Sequence, residues 1–308
     1  MDFLRHYETE LAAAQLILAM LGMGATLKAA DFAGILKHRF SILLVLALQF
    51  LIAPLAAALL IAWLPLPPGI AFGILLLVLM PSGSLSNLFT HLGGGNMPLS
   101  VTATCASTCV CLVGTPWLLR MFAGGVVPAG IEMPVASVVR DVTLFLLLPM
   151  AAGMWVARRL PRLARPFSIW TVRASLMVLL LIVISSLQSG RIRVWEHGWL
   201  VPTVLVGCVI IQFAITQLIS RAVGLTAADA YTLAIEVSIR NGNLAILLSA
   251  TLFTAGSTAD AELSRGALYV ALFYGGAALV LASLGTCLNL YLRRLRPPAA
   301  AQPLSPRP

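Results

Sequence analysis

Charge is scarce in this chain. Of its 308 residues only 10% are Asp, Glu, Lys or Arg, and only 11 are acidic, whereas a soluble domain carries roughly 25% charged residues. A water-solvated globular surface is thereby excluded. The five cysteines, Cys105, Cys109, Cys111, Cys208 and Cys287, fall inside apolar stretches without C-x-x-C spacing, which excludes a disulfide framework and leaves them as small buried residues. The four histidines, His6, His38, His91 and His197, are scattered and have no metal-ligand spacing. H-E-x-x-H, G-x-S-x-G and paired carboxylates are missing from the apolar stretches, so the chain is not expected to be an enzyme. What the sequence does contain is apolar surface: 60% hydrophobic residues and a mean hydropathy of +0.97. It reads as an all-α polytopic membrane protein whose first partner is the lipid bilayer. The formal charge of +9 would suggest nucleic acid in a soluble chain; here the Lys and Arg sit in short connections, where they set topology, and no nucleic-acid partner is expected.

Apolar segments at 9–27, 40–63, 69–92, 97–123, 135–157, 167–188, 198–222, 229–254 and 266–292 are each long enough to span a bilayer, which predicts nine transmembrane helices. The first is preceded by Asp2, Arg5, Glu8 and Glu10 rather than by a basic segment, so it reads as a retained span and not as a signal peptide. Lys28, Lys37 and Arg39, then Arg158, Arg159, Arg162 and Arg165 in a loop 158–166, then Arg293, Arg294, Arg296 and Arg307 all fall on one side of a nine-span chain. The positive-inside rule makes that side cytoplasmic and puts the N-terminus outside; Arg191 and Arg193 in an outer connection are the minority. Residues 293–308, rich in Pro, read as a disordered cytoplasmic tail.

Two spans are interrupted. Tyr231–Phe253 carries Glu236 and Arg240 near its middle, followed by Asn241-Gly242-Asn243. A charge at that depth costs roughly 2.5–3.5 kcal/mol on insertion scales and marks an ion or substrate path. An internal Glu236–Arg240 pair four residues apart would account for the charges but not for the Asn-Gly-Asn run. The other interrupted span, Phe72–Leu92, contains Pro81-Ser82-Gly83-Ser84-Leu85-Ser86-Asn87; a proline kink patched by serine hydroxyls would account for it alone. Paired breaks are less easily dismissed. The spans just before them carry Gln49-Phe50 and Gln212-Phe213, and the matching spans run in opposite directions. This is the pattern of an inverted-topology repeat: residues 1–125 with a broken helix at 81–87, and 135–292 with a broken helix at 236–243. Two such breaks predict a binding site near the midplane and alternating access. A passive channel or a membrane sensor on the same bundle is the alternative from another class; a channel would need a continuous polar lining, of which only these two islands are present.

Gly22-Met23-Gly24-Ala25-Thr26-Leu27-Lys28, Gln49-Phe50 with Pro54, Pro81 to Asn87, Gly95-Asn96 with Leu99-Ser100-Val101-Thr102, and Ile235-Glu236-Val237 with Asn241 together resemble the bile acid:sodium symporter family, in order and over nearly the whole chain. The resemblance implies a core domain of two crossed discontinuous helices beside a panel domain, and sodium-coupled uptake of a small organic anion, from bile salts to smaller carboxylates. It implies one sodium site at Ser86, Asn87, Ser100, Thr104 and Glu236, and a second at Gln49, Glu236 and the backbone carbonyls of Val237 and Ile239. The family pattern has Gln where this chain has Arg240, and a guanidinium has no acceptor and cannot ligate a cation. Arg240 therefore either places its own charge where a second sodium would sit, pairing with Glu236, or holds a substrate carboxylate bidentately. The first alternative predicts one sodium per cycle, or none. Substrate contacts are expected from Ser84, which replaces the usual Thr, and from Asn241, Arg240 and Tyr274; Phe273 and Tyr274 in the last span argue against bile salts. An arsenite-type exporter would call for a thiol at the broken helix, and none is there. A sodium-independent or proton-coupled carrier is the alternative reading, a homodimer is left open, and the short connections fit a bacterial inner membrane.

Overall fold

Apolar runs in a medium without water leave the backbone no hydrogen-bond partner but itself, so they fold as helices. The computed structural model describes residues 8–28, 37–83, 85–124, 135–188, 196–253 and 258–295, and the regular elements among them are all helical. Helix α1 is Glu8–Gly24 and α2 is Arg39–Trp63. α3 is Pro68–Val78, α4 Leu85–Leu92 and α5 Met97–Ala123. α6 runs from Val135–Asp141 through a π-helical turn, Val142–Leu147, into Leu148–Arg159. α7 is Pro161–Gln188, α8 Leu200–Ala222, α9 Ala227–Ser238, α10 Gly242–Leu252 and α11 Thr258–Leu295. Six of these, α2, α5, α6, α7, α8 and α11, are long and apolar enough to cross a membrane, and α1, α3 and α10 contain shorter apolar helices. The chain is a polytopic membrane protein. Ser84 and residues 296–308 lie outside the described residues; α11 continues to Leu295, so the first residues of the expected tail are helical.

The structure differs from the sequence reading at several boundaries. The expected loop 158–166 shrinks to Leu160, because α6 runs through Arg159 and α7 begins at Pro161. The local chemistry explains this: Arg158 and Arg159 complement the carboxyl end of a helix dipole, and proline is preformed for a first helical turn. The first break starts earlier than Pro81. α3 ends at Val78, since proline crowds the turn that precedes it. In the second interrupted span the helix carries Glu236 in its last turn and stops at Ser238, and α10 resumes at Gly242 with Asn241 as its cap. The break is thus confined to residues 239–241. A π-helical turn, Leu48–Ile52, also interrupts α2 and contains Gln49; such turns widen a helix by one residue and recur at functional sites.

Both interrupted segments are interior. Gly69 to Val78 and Ala230 to Ser238 are buried throughout, as irregular backbone at membrane depth requires. Close approaches at small residues hold the surrounding helices. A Cβ on Gly22 would strike Thr171 and Val172 of α7, and those on Gly24 and Gly153 would meet the backbone of α6 and α1 respectively, so α1 is wedged against α6 and α7. Gly69 and Gly266 bring the backbones of α3 and α11 together in the same way. This is packing by small residues, the usual means of helix association where no hydrophobic effect separates protein from lipid.

Candidate functional site

The two breaks are bonded to each other. Gly83 N donates to Ile239 O at 2.8 Å and Asn241 N donates to Pro81 O at 2.9 Å, with Ser82 and Arg240 forming an isolated antiparallel bridge. Each break thereby satisfies backbone groups that the other leaves open. A side chain at Gly83 would stand 2.8 Å from the Arg240 carbonyl. Gly83→Ala is accordingly expected to push the breaks apart and to cost about 1–3 kcal/mol, measured as a lower melting temperature in detergent with loss of transport.

On one side of this bridge lies a cluster of oxygens. The last turn of α9 presents the fully buried Glu236 carboxylate to α5, where Ser100 and Thr104 stand one turn apart, and to α4, which brings Ser86, Asn87 and Thr90. The Ser100 hydroxyl is within hydrogen-bond reach of Asn87 Oδ1 at 2.8 Å, of Thr90 Oγ1 at 3.2 Å and, in a short contact, of Glu236 Oε1. Thr104 Oγ1 reaches Glu236 Oε2 at 2.9 Å and the Ser100 carbonyl at 3.0 Å. Each hydroxyl has one proton to give, so acceptors outnumber donors. The Ser86 hydroxyl is fully buried beside the Glu236 carboxylate. A proton-poor shell of hydroxyl, amide and carboxylate oxygens fits a hard cation. Ser86, Asn87, Ser100, Thr104 and Glu236 converge as the sequence indicated. Thr90 escaped notice, although it follows Ser86 by four residues and so shares its helix face.

On the other side sits Arg240, 6% exposed. Nη1 donates to Met80 O and Nη2 to Gln212 Oε1, both at 3.2 Å. With its amide turned so that the oxygen faces the donors, Gln49 accepts from Arg240 Nη1 at 3.0 Å and from Ser82 N at 2.9 Å. Gln212 in turn donates to the Tyr274 hydroxyl at 3.2 Å, which donates to Ser238 O at 2.9 Å. The expected pairing of Arg240 with Glu236 is not formed: among the described residues the only salt bridge is Arg140–Asp141. The Glu236 carboxylate is turned to the hydroxyls of α5, and its carbonyl accepts from Ser82 Oγ at 3.0 Å. The guanidinium is thus held by neutral dipoles alone. Of the remaining second-site residues, Ile239 spends its carbonyl on Gly83, Gln49 is engaged by Arg240, and Val237 packs into an apolar cluster with Leu99 and Leu233.

A cavity of about 280 Å³ opens beside Arg240, between α10, α11 and the Leu179 and Val183 side chains of α7. Asn241 and Gly275-Gly276 line it, and the glycines leave open space where side chains would stand. Asn241 Oδ1 caps α10 by accepting from Leu244 N at 3.1 Å, whereas its Nδ2 and Arg240 Nε are buried donors without partners. Tyr274 lines the cavity but its hydroxyl is committed to Gln212 and Ser238, so its geometry supports Arg240 rather than offering a free donor. Ser84 lies outside the described residues.

Two broken helices bonded to each other, a buried oxygen cluster and an adjoining cavity form an arrangement that suits a membrane transporter. Residues 13–196 match the Sodium Bile acid symporter family, and the chain belongs to that family. The match ends before the second break. Among its relatives, the "Uncharacterized sodium-dependent transporter YocS" of Bacillus subtilis (strain 168) is 27% identical over 238 residues, 77% of this chain and 73% of that protein. The Arabidopsis thaliana "Probable sodium/metabolite cotransporter BASS1, chloroplastic" is 30% identical over 76% of this chain, which spans only 57% of that protein. The human "Ileal sodium/bile acid cotransporter" is 26% identical over 78% of this chain and 68% of its own length.

Proposed function

We propose that the chain is a secondary active transporter that couples inward movement of a small organic anion to one sodium ion by alternating access. The observation that carries this reading is the Glu236 carboxylate, buried against the hydroxyls of Ser100 and Thr104 with no basic side chain paired to it among the described residues: a bound cation would balance its charge. When bound there, sodium supplies charge to offset the Glu236 carboxylate. Arg240, held by Gln49 and Gln212, takes the place of a second sodium as a fixed positive charge. The convergence of these two glutamines on one guanidinium is consistent with the division into inverted repeats, 1–125 and 135–292; the distribution of Lys and Arg favours nine spans with an outer N-terminus and an inner C-terminus.

The anion is placed in the cavity, its charged end at Asn241 Nδ2 and Arg240 Nε and near the amino end of α10, where the helix dipole favours negative charge. A site of about 280 Å³ lies at the small end of the range for ligand pockets, which favours a small carboxylate over a bile salt. The test is uptake by the purified protein in proteoliposomes, comparing pyruvate, pantoate and taurocholate under an inward sodium gradient and under an equal potassium gradient. Saturable, concentrative uptake of a small carboxylate with a sodium Hill coefficient near one is expected. Uptake indifferent to sodium but driven by a proton gradient would replace this reading with the proton-coupled one, and non-saturating flux would indicate a channel.

A further inference from the structure

We propose that the hairpin between α6 and α7 is a binding site for the headgroup of an anionic phospholipid. From Val142 to Val194 the chain has no acidic residue, yet Arg158, Arg159, Arg162, Arg165 and Arg173 fall within a few helical turns. Because only Leu160 separates the two helices, four of these arginines are gathered on adjoining helix ends instead of being spread along a loop. None of them forms a salt bridge among the described residues.

Each of the two helices also exposes a tryptophan beside its arginines. Trp155 and Trp170 are 60% and 66% exposed, and exposed tryptophan concentrates at the boundary between hydrocarbon and headgroups. The Arg159 guanidinium carbon lies 5.9 Å from the centroid of the Trp155 ring, and that of Arg173 lies 5.4 Å from the Trp170 ring. Stacking on a ring orders a guanidinium while leaving its in-plane donors free, and those donors match the paired oxygens of a phosphate diester. Leu160 and Leu163 are also exposed among the arginines, an apolar surface suited to the start of an acyl chain. A topology signal requires only positive charge. This arrangement adds oriented donors, aromatic supports and an apolar floor, which together describe a lipid with a phosphate at its head. Since α1 is wedged between α6 and α7 by close glycine contacts, a lipid held here would anchor these three helices as a group in the membrane plane.

The test uses the full chain purified in mixed micelles of phosphatidylglycerol and phosphatidylcholine, with retained lipids counted by native mass spectrometry. The wild type is expected to retain phosphatidylglycerol over phosphatidylcholine, and Arg162→Gln/Arg165→Gln to lower that preference about tenfold or more, in line with the electrostatic attraction of each basic residue to an anionic surface. Arg162→Lys/Arg165→Lys keeps the charge that sets topology and should fall between the two, because lysine lacks the planar fork. Equal retention of both lipids by the wild type, or an unchanged preference in the Gln variant, would reduce the cluster to a topology determinant. Displacement of the lipid by millimolar inorganic phosphate would reassign it to a soluble anion. The readout is lipid retention, so it stands apart from the transport proposal.

Discussion

Glu236→Gln is expected to abolish the rise in melting temperature that sodium gives the wild type, while the sodium-free variant stays folded. The reason lies in which contacts each form can keep. Ser100 can still donate to the amide oxygen at Oε1, and the new amide nitrogen can donate to Thr104, whose own proton is free for the Ser100 carbonyl. Hydrogen bonding therefore survives the substitution and the formal charge does not. A ligand present at a hundredfold excess over its dissociation constant stabilises a folded protein by about 2.7 kcal/mol. Changes to groups that merely support a metal ligand lower affinity about 10–100-fold, and losing the one carboxylate in the shell should do at least that much. At a hundredfold loss the same sodium concentration stabilises by only about 0.4 kcal/mol. Melting curves in sodium against potassium at equal ionic strength read this directly; a full sodium shift in the Gln variant would mean that the cation is held elsewhere.

Arg240→Gln is expected to raise the sodium Hill coefficient from about one toward two and to make transport electrogenic. In the wild type a monovalent anion moving with one sodium carries no net charge, because the Arg240 charge belongs to the protein. The substitution removes that charge and frees the amide oxygens of Gln49 and Gln212 from the guanidinium. A second sodium then supplies the missing positive charge, and each cycle moves one net positive charge inward. Such a charge feels about 2.3 kcal/mol per 100 mV. Imposing a potassium diffusion potential, negative inside, on proteoliposomes should leave wild-type uptake unchanged and accelerate that of the variant. If the variant instead loses anion binding while its sodium dependence is unaltered, Arg240 is a ligand of the anion and not a tethered cation.

The two breaks were legible because their signals are local: a proline, clustered Ser, Gly and Asn, and charges inside apolar runs. Their edges were not, since these depend on where one break finds partners in the other, as Asn241 does at Pro81. The oxygen cluster was legible through family resemblance, and Thr90 could have been added from its spacing to Ser86. Gln49 and Gln212 stood out as matching landmarks, but nothing in either neighbourhood says that they meet at one guanidinium. Tyr274 shows the converse limit. It was expected to contact substrate, whereas the direction of its hydroxyl is settled by Ser238 and Gln212, residues of other helices. The π-helical turns in α2 and α6 have no sequence signature beyond the prolines that follow them.

The backbone bonds between the breaks also decide which parts of the molecule can slide. Separating Gly83 from Ile239 and Asn241 from Pro81 would leave four peptide groups at the cavity wall without their partners, at about 1–3 kcal/mol for each that water does not reach. Across the cavity, α7 faces the breaks with the apolar residues Leu179 and Val183, and apolar surfaces attract without a preferred direction. The bonded breaks behave as a rivet and the α7 boundary as a greased seam, so a displacement of one break would carry the other, and Arg240, with it.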